Sequence, residues 1–299
     1  MIADFGAHSP LQFASYRLVL GVYLMFFFAR LVPWADELLE GMVPAGGVSF
    51  DETSLSRVLA SSGDFLPPSV FAVTMAVLAG AFAVGALRRV AALMMCWGLA
   101  FAVNRNPLLA DPATPFIGWL LLATTLVPIG EPLTATNRTR ECRAGWKFPV
   151  GLLAAAWIVI SVAYSNSGLI KLRAEEWVDG RAFSMFLDSP LHRDALTWSA
   201  FRAMPESVLR VITWLGLRAE ILCAPLALFR FTRPAAWLSL AGLHVIILAT
   251  QNTTMLSTGA LLSVAFLFDR RWLSVEGLRE SMGVGRPVET SRQAERAEP

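Results

Sequence analysis

Apolar residues in this chain come in long runs separated by short polar joints. A helix that crosses a bilayer needs roughly 20 mostly apolar residues. The runs at 11–32, 69–87, 90–106, 114–130, 149–171, 207–229, 234–251 and 254–268 therefore read as about eight spans. The last is short enough to be tilted, interfacial or re-entrant. Two longer segments, 33–68 and 172–206, are rich in Gly, Pro and aromatic residues and are expected to pack over the bundle as caps. The tail 274–299 is polar and without periodicity, so it is expected to be a disordered extension of one domain over 1–273. The expected fold class is all-α: a polytopic transmembrane helical bundle with two long outer loops.

The joints separate by charge. Arg88 and Arg89, then Arg138, Arg140, Arg143 and Lys147, then Arg230 and Arg233, then Arg270 and Arg271 fall on one side of such a bundle, together with both termini. The positive-inside rule makes that side cytoplasmic. The first far-side segment carries Asp36, Glu37, Glu40, Asp51, Glu52 and Asp64 against Arg57 alone. The N-terminal stretch has no basic region and no small-residue cleavage site, so the first span is expected to be retained.

Composition agrees. The chain is 55% apolar and 16% charged, against ~45–50% and ~25% in soluble domains. A net charge of +2 offers no basic face for nucleic acid. Cys96, Cys142 and Cys223 are far apart and form neither a disulfide framework nor a CxxC pair. His8, His192 and His244 are the only histidines and make no HExxH motif, so no metal is expected. Walker, GxGxxG, GxSxG and CxxCH motifs are absent as well.

Within the apolar runs a few polar residues stand out, and an ionisable group in a membrane span is a functional hypothesis by default. Arg17 lies ~9 Å into the first span from the cytoplasmic edge. Glu220 lies ~20 Å into the sixth from the outer edge, leaving ~10 Å of a ~30 Å core. Similar depth predicts that Glu220 pairs with Arg17 or, failing that, with Arg218 or His244. Such a pair either fixes helix register or relays a proton. His244, near the midplane, shares a stripe with Leu248 and Gln251 by i, i+4, i+7 spacing. It reads either as an interhelical contact or as a ligand to substrate.

Lys171 ends the fifth span, on one face with Tyr164 and Gly168, next to Asn166 and Ser167, and just before Trp177. A terminal lysine can snorkel. Desolvation at such a boundary also favours a neutral amine, which is a usable base. Asn104, Arg105 and Asn106 before Pro107 are either a helix stop or groups for an anion or carbonyl. With Gln251 on the turn 251–254, they would make a site open to the outer leaflet if these helix ends converge.

On these residues the chain resembles the HTTM family, the vitamin K-dependent gamma-carboxylase and its bacterial relatives. SNSGLIKLRAEEWVDG (165–180) is similar to that family's Gly-Leu-x-Lys-Leu…Trp-x-x-Gly signature. In order come SYRLVLG (15–21), RRVAALMMCWGLAFAVNRNPLL (88–109), LRAEILCAPLAL (217–228) and LHVIILATQNTTMLSTG (243–259). The resemblance covers roughly 10–270. It implies a helical bundle in a bacterial inner membrane with chemistry at its outer face, and Lys171 as a general base acting with a reduced vitamin K or menaquinone-type quinol. Apolar walls would hold the quinone. Asn106 stands where the carboxylases carry a histidine, and their large lumenal domain has no counterpart in these residues. The family also includes sporulation-delaying protein B-like members, which implies the alternative of a non-catalytic maturation or export factor for a secreted toxin peptide. The partners expected are membrane lipid and, on that alternative, the peptide.

Overall fold

The computed structural model describes residues 8–40, 54–135, 144–193 and 196–282. Arg138, Arg140, Arg143, Asp51, Glu52 and the tail beyond Met282 lie outside the described residues, and with them part of the expected basic joint, cap and extension. Among the described residues all regular structure is helical, apart from one isolated bridge pair, His192 with Gln251.

Three helical stretches are long and apolar enough to cross a membrane: Pro10–Leu39, Val150–Lys171 and Arg233–Thr250. Pro68–Ala83, Thr114–Leu126 and Met255–Phe266 are apolar but shorter. The first half of the chain contributes α1 (Pro10–Leu31), α2 (Ala35–Leu39), α3 (Ser54–Ser61), α4 (Pro68–Ala83), α5 (Arg88–Arg105) and α6 (Thr114–Leu126). The second contributes α7 (Val150–Lys171), then the short α8 (Glu175–Val178), α9 (Ala182–Leu187) and α10 (Leu196–Arg202). It continues with α11 (Glu206–Ile221), α12 (Cys223–Leu228), α13 (Arg233–Thr250), α14 (Thr254–Phe266) and α15 (Val275–Met282).

Helix α1 packs along α4, α4 on α5, and α5 on α6; α7 packs on α11 and α12, and α13 on α14. Helix α14 touches α1, α6 and α7 and so joins the two sets. Phe13, Leu20, Leu24 and Phe28 of α1 and Phe71, Met75 and Phe82 of α4 form the buried seam. Gly21 is what lets α1 and α4 meet: a Cβ there would lie 2.6 Å from Ala83 Cα. The outward faces stay apolar, with Phe26, Val77, Ile158, Val162 and Val245 exposed. A water-facing helix would carry polar residues there.

Two differences from the sequence reading have clear causes. The run 207–229 is two helices, not one. Proline at 225 has no N–H for the ladder, and its ring crowds the carbonyl four residues back, at Ile221. Helix α11 stops there. Ser165 of α7 fills the gap: its hydroxyl bonds the Glu220 and Ile221 carbonyls at 3.2 and 2.9 Å and accepts from Ala224 N at 2.9 Å.

The second difference is the partner of Arg17. It does not pair with Glu220. Arg17 Nε lies 3.4 Å from Glu131 Oε1, and Arg88 Nε lies 3.1 Å from the same oxygen. Arg17 also donates to the Phe82, Ala83 and Leu133 carbonyls at 2.9, 2.6 and 2.8 Å. Arg88 donates to the Thr124, Val127 and Pro128 carbonyls. Several of these carbonyls belong to the last turns of α4 and α6, where unpaired C=O groups and the helix dipole favour a cation. Gly85 (φ +72°) completes the fit, since a Cβ there would sit 2.8 Å from Arg17 Nη1. This hub lies at the end of the bundle where α7 begins: Trp146 donates to Pro128 O at 2.9 Å and its ring lies 6.1 Å from Phe13. Glu220 meets α7 near its other end, about 30 Å away at 1.5 Å per residue.

Glu131 is 1% exposed and serves two arginines. Replacing it by alanine leaves both guanidinium groups buried without a counter-charge. Glu131→Ala is expected to lower stability by about 3–5 kcal/mol, read from denaturant unfolding in mild detergent. Glu206→Ala, at the exposed pair with Arg210, is expected to change it by less than about 1 kcal/mol. Equal effects from the two would contradict the hub.

Candidate functional site

The site is built where α7 ends. Tyr164, Gly168 and Lys171 follow one another at i, i+4, i+7 and face α11 and α13. At Gly168 a Cβ would lie 2.8 Å from Ile221 N and 3.0 Å from Glu220 Cβ. The bare glycine therefore admits the α11 backbone and brings Glu220 beside the last turn of α7. Lys171 Nζ meets Glu220 Oε1 at 2.5 Å, and it sits 4.3 Å over the Trp177 ring. A cation over an indole face is attracted by the ring quadrupole, so the ammonium is held from two sides.

Trp177 is placed by the chain just after α7. Gly180 (φ +80°) turns the chain past Trp214, where a Cβ would stand 3.1 Å from the indole. Trp214 Nε1 donates to Val178 O at 3.0 Å, and Phe183 N donates to Thr213 Oγ1 at 3.1 Å. Helices α8 and α9 are thus laid on the first half of α11. Their far side is tied to α13: Gln251 Nε2 donates to Phe186 O at 2.7 Å and Asn252 N to Leu191 O at 2.6 Å.

Between these elements lies a cavity of about 490 Å³, within the ~300–1,000 Å³ of small-molecule sites. Helices α11 and α13 form its walls, and Trp177, Phe183 and Phe186 form its roof. Its lining is apolar except for Thr213, Ser239, Lys171 and Glu220. Glu220 Oε2 is buried and finds no hydrogen-bond partner among the described residues. The cavity thus offers one ion pair and one unused acceptor against aromatic and aliphatic walls.

The other predicted residues are placed as follows. Tyr164 OH and His244 Nε2 form a hydrogen bond with each other, and the Tyr164 ring lies parallel to Phe116. Neither residue lines the cavity, and His244 Nδ1 is buried without a partner among the described residues. Gln251 anchors the roof rather than the cavity floor. Asn166 is exposed and outside the lining.

Asn104, Arg105 and Asn106 stand apart from the cavity. Arg105 bonds Leu39 O at 2.9 Å, Ala60 O at 3.2 Å and Asp64 Oδ1 at 2.9 Å. Asn106 bonds Leu38 O at 3.1 Å and caps Leu108 N at 3.0 Å, and Asn104 bonds Ala100 O at 2.7 Å. Arg105 and Asn106 fasten the end of α5 to α2 and α3, while Asn104 bonds within α5, so the end of α5 does not join the ends of α7 and α13 at the cavity. The sequence alone does not single out Phe183, Phe186, Thr213, Gly216 or Gly242 of the lining. Of these, only the two glycines inside apolar helical runs gave a sequence signal.

Among the described residues no group of three or more His, Cys, Asp or Glu is placed to hold a metal ion. No protein-family model, curated protein or solved structure matches the chain.

The pair makes a double-mutant prediction. Lys171→Met alone leaves Glu220 buried and unpaired and should cost about 2–3 kcal/mol, the lysine being partly exposed. Adding Glu220→Leu should restore most of that loss. Thermal unfolding of the four proteins in one detergent measures the coupling; additive losses would mean that the two side chains do not act as a pair.

Proposed function

We propose that the protein is an integral membrane enzyme in which Lys171 and Glu220 move a proton for a reduced quinone bound in the α11–α13 cavity. The observation that carries this reading is an ion pair set in the wall of an otherwise apolar, ligand-sized cavity. We further propose about eight crossings of a bacterial inner membrane, with the basic joints and both termini cytoplasmic and the Lys171 end of α7 facing out. Helix α6, at 13 residues, covers only about 20 Å. It needs its flanking apolar residues, such as Leu109 and Val127, to reach across.

The chain's groups fit a quinol. Phe183 and Phe186 give flat apolar contacts, and Glu220 Oε2 is an acceptor in want of a donor. When bound, a reduced quinone supplies an acidic hydroxyl and the electrons that reduce oxygen. Lys171 and Glu220 do the rest. A ligand that fills the cavity removes water, and a charged pair in an apolar wall is then costly relative to a neutral one. The proton on Lys171 Nζ passes to Glu220 Oε1. The neutral amine then takes up a proton from within the cavity, and the ammonium so re-formed is drawn back to the Trp177 ring. Lys171 is the base and Glu220 the acceptor that frees it.

Purified protein in mild detergent is expected to consume oxygen with a reduced naphthoquinone. Lys171→Ala, checked for folding, is expected to lower the rate by about 10²–10⁴-fold, and Glu220→Gln by a similar factor. No turnover by native protein across several quinols would overturn the enzyme reading and turn attention to a secreted peptide partner.

A further inference from the structure

Lys171 and Glu220 together can take up one proton from the cavity, because the transfer leaves Glu220 already protonated. Oxidising a hydroquinone by two electrons releases two. The polar groups that continue inward from Glu220 offer a second place. Tyr164 stands seven residues before Lys171 on one stripe of α7, about 10 Å deeper in the bundle. Glu220 lies between them in depth, beside Gly168. Its charge reaches Tyr164 and the buried Cys223, and the charge of Lys171 reaches His244.

Tyr164 OH has one hydrogen-bond partner among the described residues, His244 Nε2. With the phenol donating, the imidazole carries its own hydrogen on Nδ1. That nitrogen is buried and has no partner among the described residues. A buried N–H left unpaired is costly, so packing alone gives no reason for an imidazole here.

Helix register says what faces that nitrogen. Trp237 Nε1 of α13 donates to Val264 O of α14 at 2.8 Å. The two helices run antiparallel, joined by the turn 251–253. Seven residues on from Trp237 is His244, and seven back from Val264 is Ser257, each about two turns along the same stripe of its helix. Ser257 is fully buried, and its Oγ also lacks a partner among the described residues. The two unpartnered atoms thus stand at one level of the α13–α14 seam.

We propose that Tyr164 and His244 are a second proton acceptor behind Glu220, with Ser257 positioning the imidazole. The proposal rests on the membrane-enzyme reading and doubles the number of protons its site can hold. Once Lys171 has recharged, the Glu220 O–H bond breaks and its hydrogen passes through one water to the Tyr164 oxygen. The hydroxyl hydrogen of Tyr164 moves to His244 Nε2. Glu220 is again a carboxylate beside the Lys171 ammonium, and Tyr164 is a neutral phenol. His244 is an imidazolium that donates its Nδ1–H to Ser257 Oγ. Lys171 and Glu220 then repeat the first transfer and take a second proton. When oxygen has taken the two electrons, the two stored protons follow and give hydrogen peroxide, and the groups return to their starting charges.

The test uses the full chain in mild detergent, with menadiol and oxygen supplied and oxygen consumption as the readout. Tyr164→Phe removes the hydroxyl and keeps the ring against Phe116. His244→Gly opens a space the size of the lost imidazole. Neither residue lines the cavity, so each variant is expected to lower kcat at least about tenfold while changing the menadiol KM less than about twofold. Added imidazole is expected to raise the rate of His244→Gly at least about fivefold. Pyrazole has the same shape but is a far weaker base, and it is expected to restore nothing. Imidazole that restores no more than pyrazole, or a native kcat in Tyr164→Phe, overturns the second acceptor and leaves the enzyme reading standing. Tyr164→Phe decides alone if the glycine variant does not fold. Absence of turnover by native protein overturns both.

Discussion

A charge removed from water must find a partner, and in a bundle with apolar outer faces that requirement fixes where helices can stand. Two charged groupings meet it here. At one end Glu131 is shared by Arg17 and Arg88, whose remaining N–H groups take carbonyls from the ends of α4 and α6. This ties α1, α4, α5 and α6 together through one carboxylate. Near the other end of α7, Lys171 and Glu220 tie α7 to α11. The apolar seams between helices allow some sliding; the charged contacts set the register.

The two groupings differ in what surrounds them. The Glu131 hub is closed: backbone carbonyls complete it, and Gly85 leaves just room for the guanidinium. The Lys171–Glu220 pair is open on the side of the cavity, with Glu220 Oε2 unused. Its openness has a local origin. Pro225 ends α11 early, Ser165 seals the break, and Gly168 admits α11 beside the last turn of α7. The first half of α11 then runs on past the end of α7, where α8 and α9 lie against it and roof the space. A closed pair is suited to holding structure, and an open one to meeting a ligand.

Much of this was legible in the residue pattern. The apolar runs located most of the longer helices, and Lys171 and Trp177 are close enough in sequence for their juxtaposition to be read directly. The partner of Glu220 was not legible. Counting depth along α11 from residue 207 takes α7 and α11 to end at one level, but the first half of α11 runs past the end of α7 beside α8 and α9. That shift moves Glu220 from the level of Arg17 to the level of Gly168. Glu131 was missed because it sits in a joint, where a carboxylate reads as solvated. Asn104, Arg105 and Asn106 read equally as a helix stop or as groups for an anion or carbonyl, because α2 and α3, whose carbonyls Arg105 and Asn106 bind, show no strong signal of their own.

The central claim is that filling the cavity moves a proton from Lys171 to Glu220. Infrared difference spectroscopy tests it without turnover, by following the carboxyl stretch of Glu220 as a naphthoquinol is added to the protein under argon. The claim predicts that a protonated-carboxyl band appears with the ligand, shifts in deuterium oxide, and is missing in Glu220→Gln. A spectrum in which the ligand binds and no such band appears would contradict it, leaving Lys171 and Glu220 as a purely structural pair.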